Sequence, residues 1–342
     1  MSARAFISGV SGTRLNADES AFLRNNRPWG FILFKRNVES HQQVSDFVSQ
    51  LRGEVGRPDA PVLIDQEGGR VQRLGPPLWP AYPPGAVFGT LYEADEVSGL
   101  RAAWLSARLI AADLLDLGIT VDCLPLADVP VAGADAVIGN RAYGTTPGKV
   151  VAIARAVTDG LAAGGVLPVL KHIPGHGRAT ADSHHRLPVV DTPADELELT
   201  DFAAFRPLAD LAMAMTAHVV FSALDPAQPA TTSATIIEEV IRREIGFQGL
   251  LMSDDVSMNA LAGSIGERSR AAIAAGCDVV LHCNGNLAEM REVADAVPEL
   301  AGKPLARAEA ALAARGQAQP LDRQAARAEL DELVARAEAL SA

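Results

Sequence analysis

Eight short apolar runs, each followed by a stretch of helical periodicity, leave few folds open to this chain of 342 residues. The runs fall near 5–8, 31–34, 62–64, 120–124, 166–170, 212–215, 250–252 and 278–281. Each has strand length and is rich in Val, Ile, Leu or Phe without strict in/out alternation, so burial on both faces and parallel pairing are expected. Helical patterns lie between them at about 18–25, 40–53, 95–117, 147–163, 194–211, 233–245, 265–275 and 286–297. Several open with a capping residue or a proline after one: Asn16, Ser40, Thr146 before Pro147, and Thr192 before Pro193. In the third pattern Trp104, Leu105, Ile110, Leu114, Leu115 and Leu117 recur at three- and four-residue steps, a stripe expected to face a sheet.

Eight strand–helix pairs are the arithmetic of an α/β protein built as a (β/α)8 TIM barrel, although a doubly wound open sheet also alternates. A single barrel domain is expected over 1–300, with 301–342 forming C-terminal helices that dock on it; a dimer-forming arm is their other conceivable use. These helices should separate near Gln317 to Pro320. The proline-bearing stretch from Gly75 to Gly89 is expected to be an ordered loop.

The charge balance narrows the partners. A formal charge of −12, with no run of Lys or Arg, disfavours an extended grip on nucleic-acid phosphates or anionic lipid. Cys123, Cys277 and Cys283 are too few and too irregular for a disulfide framework or a zinc knuckle. Residues 1–12 carry neither a signal-peptide core nor a stop-transfer segment, and no stretch reaches the roughly 18 apolar residues of a membrane helix. A soluble cytoplasmic protein with a small partner, no nucleic acid and no membrane is expected, a monomer or weak dimer.

Barrel enzymes place their chemistry after the C-terminal ends of the strands. There the chain carries Lys35-Arg36-Asn37, Asp65-Gln66-Glu67-Gly68-Gly69-Arg70, Asp128, Asn140-Arg141, Lys171-His172, Thr216 and His218, Ser253-Asp254-Asp255, and His282. Histidine, arginine and carboxylate converging from several strands point to a polar pocket. In Asp182-x-His184 the two side chains share one side of an extended backbone, so the carboxylate can bind the imidazole and fix its tautomer, an acid/base dyad. Asp254 at a strand end could attack or hold a cation, whereas Asp255 would point away and cap the next segment. His172, His176, His184 and Asp254 could also be read as metal ligands of a hydrolase, though the glycines and proline of Lys171-His172-Ile173-Pro174-Gly175-His176-Gly177 argue for a shaped loop. A silent sugar-binding barrel is the third reading. Gly68-Gly69 lacks phosphate-cradle spacing, and there is no G-x-S-x-G elbow.

Gly30-Phe31-Ile32-Leu33-Phe34, Ile64-Asp65-Gln66-Glu67-Gly68-Gly69-Arg70-Val71-Gln72-Arg73, Ile138-Gly139-Asn140-Arg141, the 171–177 segment, Asp182-Ser183-His184, Met215-Thr216-Ala217-His218 and Ser253-Asp254-Asp255 together resemble glycoside hydrolase family 3. More narrowly they resemble its single-domain bacterial β-N-acetylhexosaminidase branch, which lacks the extra C-terminal domain of many β-glucosidases. The resemblance implies an exo-acting, retaining enzyme that removes terminal β-linked N-acetylglucosamine from 1,6-anhydro-N-acetylmuramic-acid fragments, with or without peptide, during cell-wall recycling. It implies Asp254 as nucleophile, His184 as acid/base tuned by Asp182, and Asp65, Arg73, Arg141, Lys171 and His172 as sugar-binding residues, with no cofactor and no metal. A histidine near pKa 6.5 needs little tuning to serve as acid and then base. The Gly-rich segment bearing His184 is expected to move during turnover. Ile173 stands where the family commonly has an aromatic residue, and Asn140 where it commonly has aspartate. Glucosidase activity, or phosphate in place of water as acceptor, stays open.

Overall fold

The computed structural model describes residues 3–183 and 186–341, so His184 and His185 lie outside the described residues. One parallel sheet runs Leu167–Pro168, Val121–Asp122, Val62–Ile64, Pro28–Leu33, Arg4–Ser8, Val279–His282, Leu250–Asp255, Met213–Thr216 and Leu170–Ile173. Its first and last members are the two halves of one strand, interrupted at Val169. The Val169 N–H donates to the Leu124 carbonyl at 2.7 Å, and Leu126 pairs in parallel with Lys171. The sheet therefore closes on itself as eight strand positions, which removes the open-sheet alternative. All eight apolar runs fall on barrel strands, and Phe6, Ile7, Phe31, Leu63, Val121 and Met252 are sealed from solvent, as strands buried on both faces require.

The surrounding helices start where side chains satisfy their free N–H groups. Asn16 and Glu19 form a reciprocal capping box, at 2.9 and 3.1 Å, that opens α1 (Ala17–Asn26), and Ser40 caps α2 (His41–Val55). The 75–89 stretch is a loop only as far as Pro84; there α3 (Gly85–Ala94) begins. The glycines that read as a loop are instead close-packing positions. A Cβ on Gly85 would lie 2.2 Å from the Arg141 carbonyl oxygen, and one on Gly89 2.3 Å from that of Tyr143. α4 (Glu96–Asp116) differs from the expected single stripe, because it is buried almost all round. It lies among α3, α5 (Pro147–Ala163) and a C-terminal helix, and even its Arg108 is buried, donating to the Gln319 carbonyl. Thr146 precedes α5 without a side-chain capping bond; the proline at the first turn marks the start there.

The continuous helix expected over 194–211 is broken into α6 (Ala194–Leu199), α7 (Asp201–Phe205) and a 3-10 turn at Arg206–Leu208. Its opening residue is Pro193, not Thr192. The break falls at Thr200, whose hydroxyl donates back to the Glu196 carbonyl at 2.6 Å, a local bond that competes with the helix ladder. The next pattern winds as a π-helix, Ile236–Glu244, after Ser233 accepts from the Ile236 N–H. α8 (Ile265–Ala275) and α9 (Leu287–Ala296) complete the ring. α10 (Gly302–Ala313) and α11 (Arg323–Ser341) follow; α11 packs on α3 and α4 through Ala326, Leu330, Leu333 and Ala337. Among the described residues no helix is long and apolar enough to cross a membrane.

Candidate active site

Asp65 leaves the third strand and enters a small antiparallel hairpin, Gln66–Gly68 with Val71–Gln72, turned through Gly68 and Gly69 at positive φ. The buried Gln66 amide holds the returning chain: its oxygen accepts from the Arg73 and Leu74 N–H groups at 3.0 Å, and its nitrogen donates to the Leu74 carbonyl. Arg73 is thereby set 2.9 Å from Asp65. Lys171, in the second half of the fifth strand, reaches Asp65 at 3.2 Å and Glu67 at 2.6 Å. Arg141, at the end of a 3-10 turn, grips Glu67 with two parallel bonds of 2.8 and 2.7 Å.

The electrostatics follow from that interleaving. Burial opposes the charge on Asp65, but Lys171 and Arg73 outweigh it and hold the carboxyl well below the usual range. Burial likewise opposes ionisation of Glu67, yet Lys171 and Arg141 bring it down to about 2. Lys171 and Arg141 are held protonated by the same carboxylates against the burial of their own charges. Each group would be costly buried alone; together they form one charged lattice with polar atoms fixed at the barrel mouth.

A second group joins the loop after the fourth strand to the end of the fifth strand and the loop beyond it. Asp128 accepts from His172 Nδ1 at 2.7 Å through one oxygen, and from the backbone N–H groups of His172 and His176 at 3.3 and 2.7 Å through the other. Despite complete burial, the Asp128 carboxyl is brought down to about 2 by His172. His176 is buried, and burial, reinforced by the neighbouring His172, pushes its pKa down to about 4. Its Nε2 meets Ser183 Oγ at 3.1 Å, whereas its Nδ1 has no hydrogen-bond partner among the described residues. Arg178 anchors this loop to the helix break, donating to Asp201 at 2.6 Å and Thr200 at 2.9 Å.

Asp254 and Asp255 end the seventh strand with different surroundings. Asp255 accepts from the Ser257 N–H and hydroxyl and from the Cys283 N–H, at 3.0, 2.6 and 3.1 Å, which commits both oxygens to loop structure. Asp254 is half-buried at the cavity, with the Asp255 N–H donating to its Oδ1 at 2.8 Å and its own N–H donating to Thr216 Oγ1 at 3.3 Å. His218 donates from Nε2 to the Asp255 carbonyl at 3.0 Å and so supports this strand end. His282 instead faces Glu289, at 3.2 Å, away from the charged lattice.

Asp65, Arg73, Arg141, Lys171, His172, Asp182 and Asp254 all line one cavity of about 300 Å³. His184 lies outside the described residues, so the Asp182–His184 pairing has no geometry here. Of the four candidate metal ligands, His176 is turned to Ser183 and His172 to Asp128; among the described residues no group of three or more His, Cys, Asp or Glu side chains could hold a metal ion. Two residues that the sequence places among the strand-end polar groups without a role prove central to the geometry. Glu67 stands two residues after Asp65, so the parity argument applied to Asp182 and His184 would have placed it on the same side. Asp128 carries no signal beyond its place after a strand.

A closed parallel barrel with carboxylates and cations locked around a small cavity at its C-terminal mouth is the frame of a barrel enzyme acting on a small polar substrate. Residues 5–314 match the glycosyl hydrolase family 3 N-terminal domain, and the chain belongs to that family of glycoside hydrolases. A protein named beta-hexosaminidase from Alkalilimnicola ehrlichii is 40% identical over 283 residues, covering 81% of this chain and 79% of that protein. Another of that name, from Bordetella pertussis, is 38% identical over 284 residues, 82% of this chain and 80% of its own. The structure of NagZ from Neisseria gonorrhoeae in complex with N-trifluoroacetyl-D-glucosamine superposes with a TM-score of 0.85 at 32% identity, covering 100% of this chain and 99% of the other.

Proposed function

We propose that this glycoside hydrolase is an exo-acting, retaining β-N-acetylglucosaminidase that removes terminal β-linked N-acetylglucosamine from peptidoglycan fragments such as N-acetylglucosaminyl-1,6-anhydro-N-acetylmuramic acid, with or without peptide. Its work belongs to cell-wall recycling in the cytoplasm. The observation that carries the reading is the half-buried Asp254 carboxylate lining the same cavity as the Asp65, Arg73 and Lys171 lattice. About 300 Å³ lies at the small end of ligand pockets, which suits one sugar ring and removal of one terminal residue at a time. The relatives named beta-hexosaminidase and the amino-sugar complex of the gonococcal protein favour the N-acetylated substrate. Exposed Arg70, also at the cavity, supplies a cation suited to a carboxylate-bearing aglycone.

In this reading Asp65, Arg73, Arg141, Lys171 and His172 bind the sugar hydroxyls and set the anomeric carbon before Asp254. Asp254 attacks that carbon, forming a glycosyl ester as the bond to the aglycone oxygen breaks. His184, oriented by Asp182, gives its proton to that oxygen, then takes one from the water that hydrolyses the ester. No cofactor is required. Asp254→Asn tests the assignment: on an aryl β-N-acetylglucosaminide, turnover should fall by at least about 10³-fold with N-acetylglucosamine binding retained. Trapping with a 2-fluoro or 5-fluoro glycoside followed by peptide mapping should label Asp254. A label on another residue, or a variant keeping most of its activity, overturns the mechanism.

A further inference from the structure

His172 turns its two ring nitrogens to different surroundings. Nδ1 lies 2.7 Å from Asp128 Oδ2, whereas Nε2 makes no hydrogen bond among the described residues and the residue lines the cavity. Asp128 Oδ1 is already committed to two backbone donors, the N–H groups of His172 and His176. A carboxylate so loaded can only accept from the imidazole through its remaining oxygen. Among the described residues, the titratable group against the ring besides Asp128 is His176, with centroids 5.6 Å apart; Asp254 acts on His176, and Arg141 on Asp128.

We propose that Asp128 is a positioning residue that keeps a proton on His172 Nδ1, so that the uncharged form of the ring offers bare Nε2 to the cavity as an acceptor for a sugar hydroxyl. Lys171 and the arginines are donors only, and they can meet the lone pairs of the same hydroxyls but not their protons. A ring of the opposite tautomer would set N–H groups against N–H groups. The same carboxylate fixes the backbone at both 172 and 176, so ring tautomer and loop course are set together. This rests on the reading that His172 contacts the sugar, but the tautomer is defined without any ligand.

Asp128→Asn is the informative substitution. Its single oxygen is required by the two backbone N–H groups, which leaves the amide nitrogen facing Nδ1. A donor there demands an unprotonated Nδ1, and the proton moves to Nε2. Nitrogen-15 spectra of the seven histidines, with His172 assigned through His172→Gln, should report Nδ1–H in the wild type and Nε2–H in Asp128→Asn. N-acetylglucosamine binding should weaken roughly 10- to 100-fold in the variant, the consequence of an unmatched buried polar pair. In the His172→Gln background, adding Asp128→Asn should cost no further affinity.

A wild-type ring protonated at Nε2 alone overturns the proposal, and that spectrum needs no variant to fold. Equal losses from Asp128→Asn with and without His172 also overturn it, since they would assign Asp128 a general structural role. Failure of the wild type to bind N-acetylglucosamine would instead defeat the sugar reading and leave the tautomer result standing.

Discussion

The two sides of the cavity are held by different physics. On the floor, Asp65, Glu67, Lys171, Arg73 and Arg141 are bound charge to charge, with Lys171 and Glu67 side chains only 3% and 4% exposed. On the loop from Gly175 to Ser183 the core is a neutral histidine joined to a hydroxyl, and the charged anchor, Arg178 to Asp201, sits further out. A buried charged lattice resists rearrangement because any broken contact strands an ion, whereas a neutral imidazole–hydroxyl bond is replaced by water at little cost. The lesson is a division of labour: the floor can fix a sugar's orientation, and beyond His176, whose backbone N–H is held by Asp128, the loop as far as Ser183 can shift without disturbing it.

The largest expected effect comes from removing the cation common to both floor carboxylates. Lys171→Met leaves Asp65 and Glu67 buried with one positive partner each, Arg73 and Arg141. Urea unfolding at pH 7 should show a loss of about 3–5 kcal/mol. The pH dependence gives the sharper test. In the wild type the Glu67 pKa is depressed to about 2, so its contribution is present above the ordinary carboxylate range and lost only as pH falls through about 2. In the variant the carboxyls should bind protons more readily when folded than when unfolded, and part of the lost stability should return as pH falls from 7 to 5. A cost below about 1 kcal/mol would mean that the floor is no more tightly held than a surface ion pair, and the contrast with the loop would vanish.

That contrast also separates what the sequence reveals from what it hides. The barrel is readable because strands buried on both faces need unbroken apolar runs, and every run lands on a strand. The cavity's lining is readable because polar residues stand immediately after those strands, so Asp65, Lys171, His172 and Asp254 could be gathered before any geometry was known. Pairing is harder. Glu67 joins Arg141 across 74 positions and Lys171 across 104, and a sequence carries no record of which cation meets which carboxylate. Nor does it distinguish the glycines of α3, placed by close contact with Arg141 and Tyr143, from glycines of a loop. The bend at Thr200 is invisible for a related reason, since the hydroxyl that breaks the helix is recruited by Arg178 from the active-site loop.

A medium effect is expected from His176, read as a pH dependence. Its pKa is about 4 in the folded chain, against an ordinary value of 6.5. Between pH 6.5 and 4 the unfolded state therefore binds a proton that the folded state refuses, and stability falls as the medium is acidified through that window, by up to roughly 1.4 kcal/mol per pH unit. His176→Gln removes this proton uptake. Its unfolding free energy should change with pH less steeply than the wild type's between 6.5 and 4, while the two should run parallel above pH 7. Identical slopes would show that His176 is not kept neutral by its burial, and the loop would then be charged like the floor.

The smallest expected effect isolates the loop's own bond. Ser183→Ala deletes the hydroxyl that meets His176 Nε2 at 3.1 Å and leaves the ring, whose Nδ1 has no hydrogen-bond partner among the described residues, without a partner at Nε2. A single neutral hydrogen bond contributes about 0.5–1.5 kcal/mol net, so global unfolding should move by no more than that. Local opening should move by as much or more, because the bond closes this segment specifically. Amide hydrogen exchange should accelerate over 176–183 and stay unchanged at Lys171 and in the Gln66–Gly68 hairpin. If exchange rises equally on both sides, loop and floor open as one unit and the proposed division fails. If only the loop responds, the charged floor acts as a fixed reference against which the 176–183 segment is free to adjust.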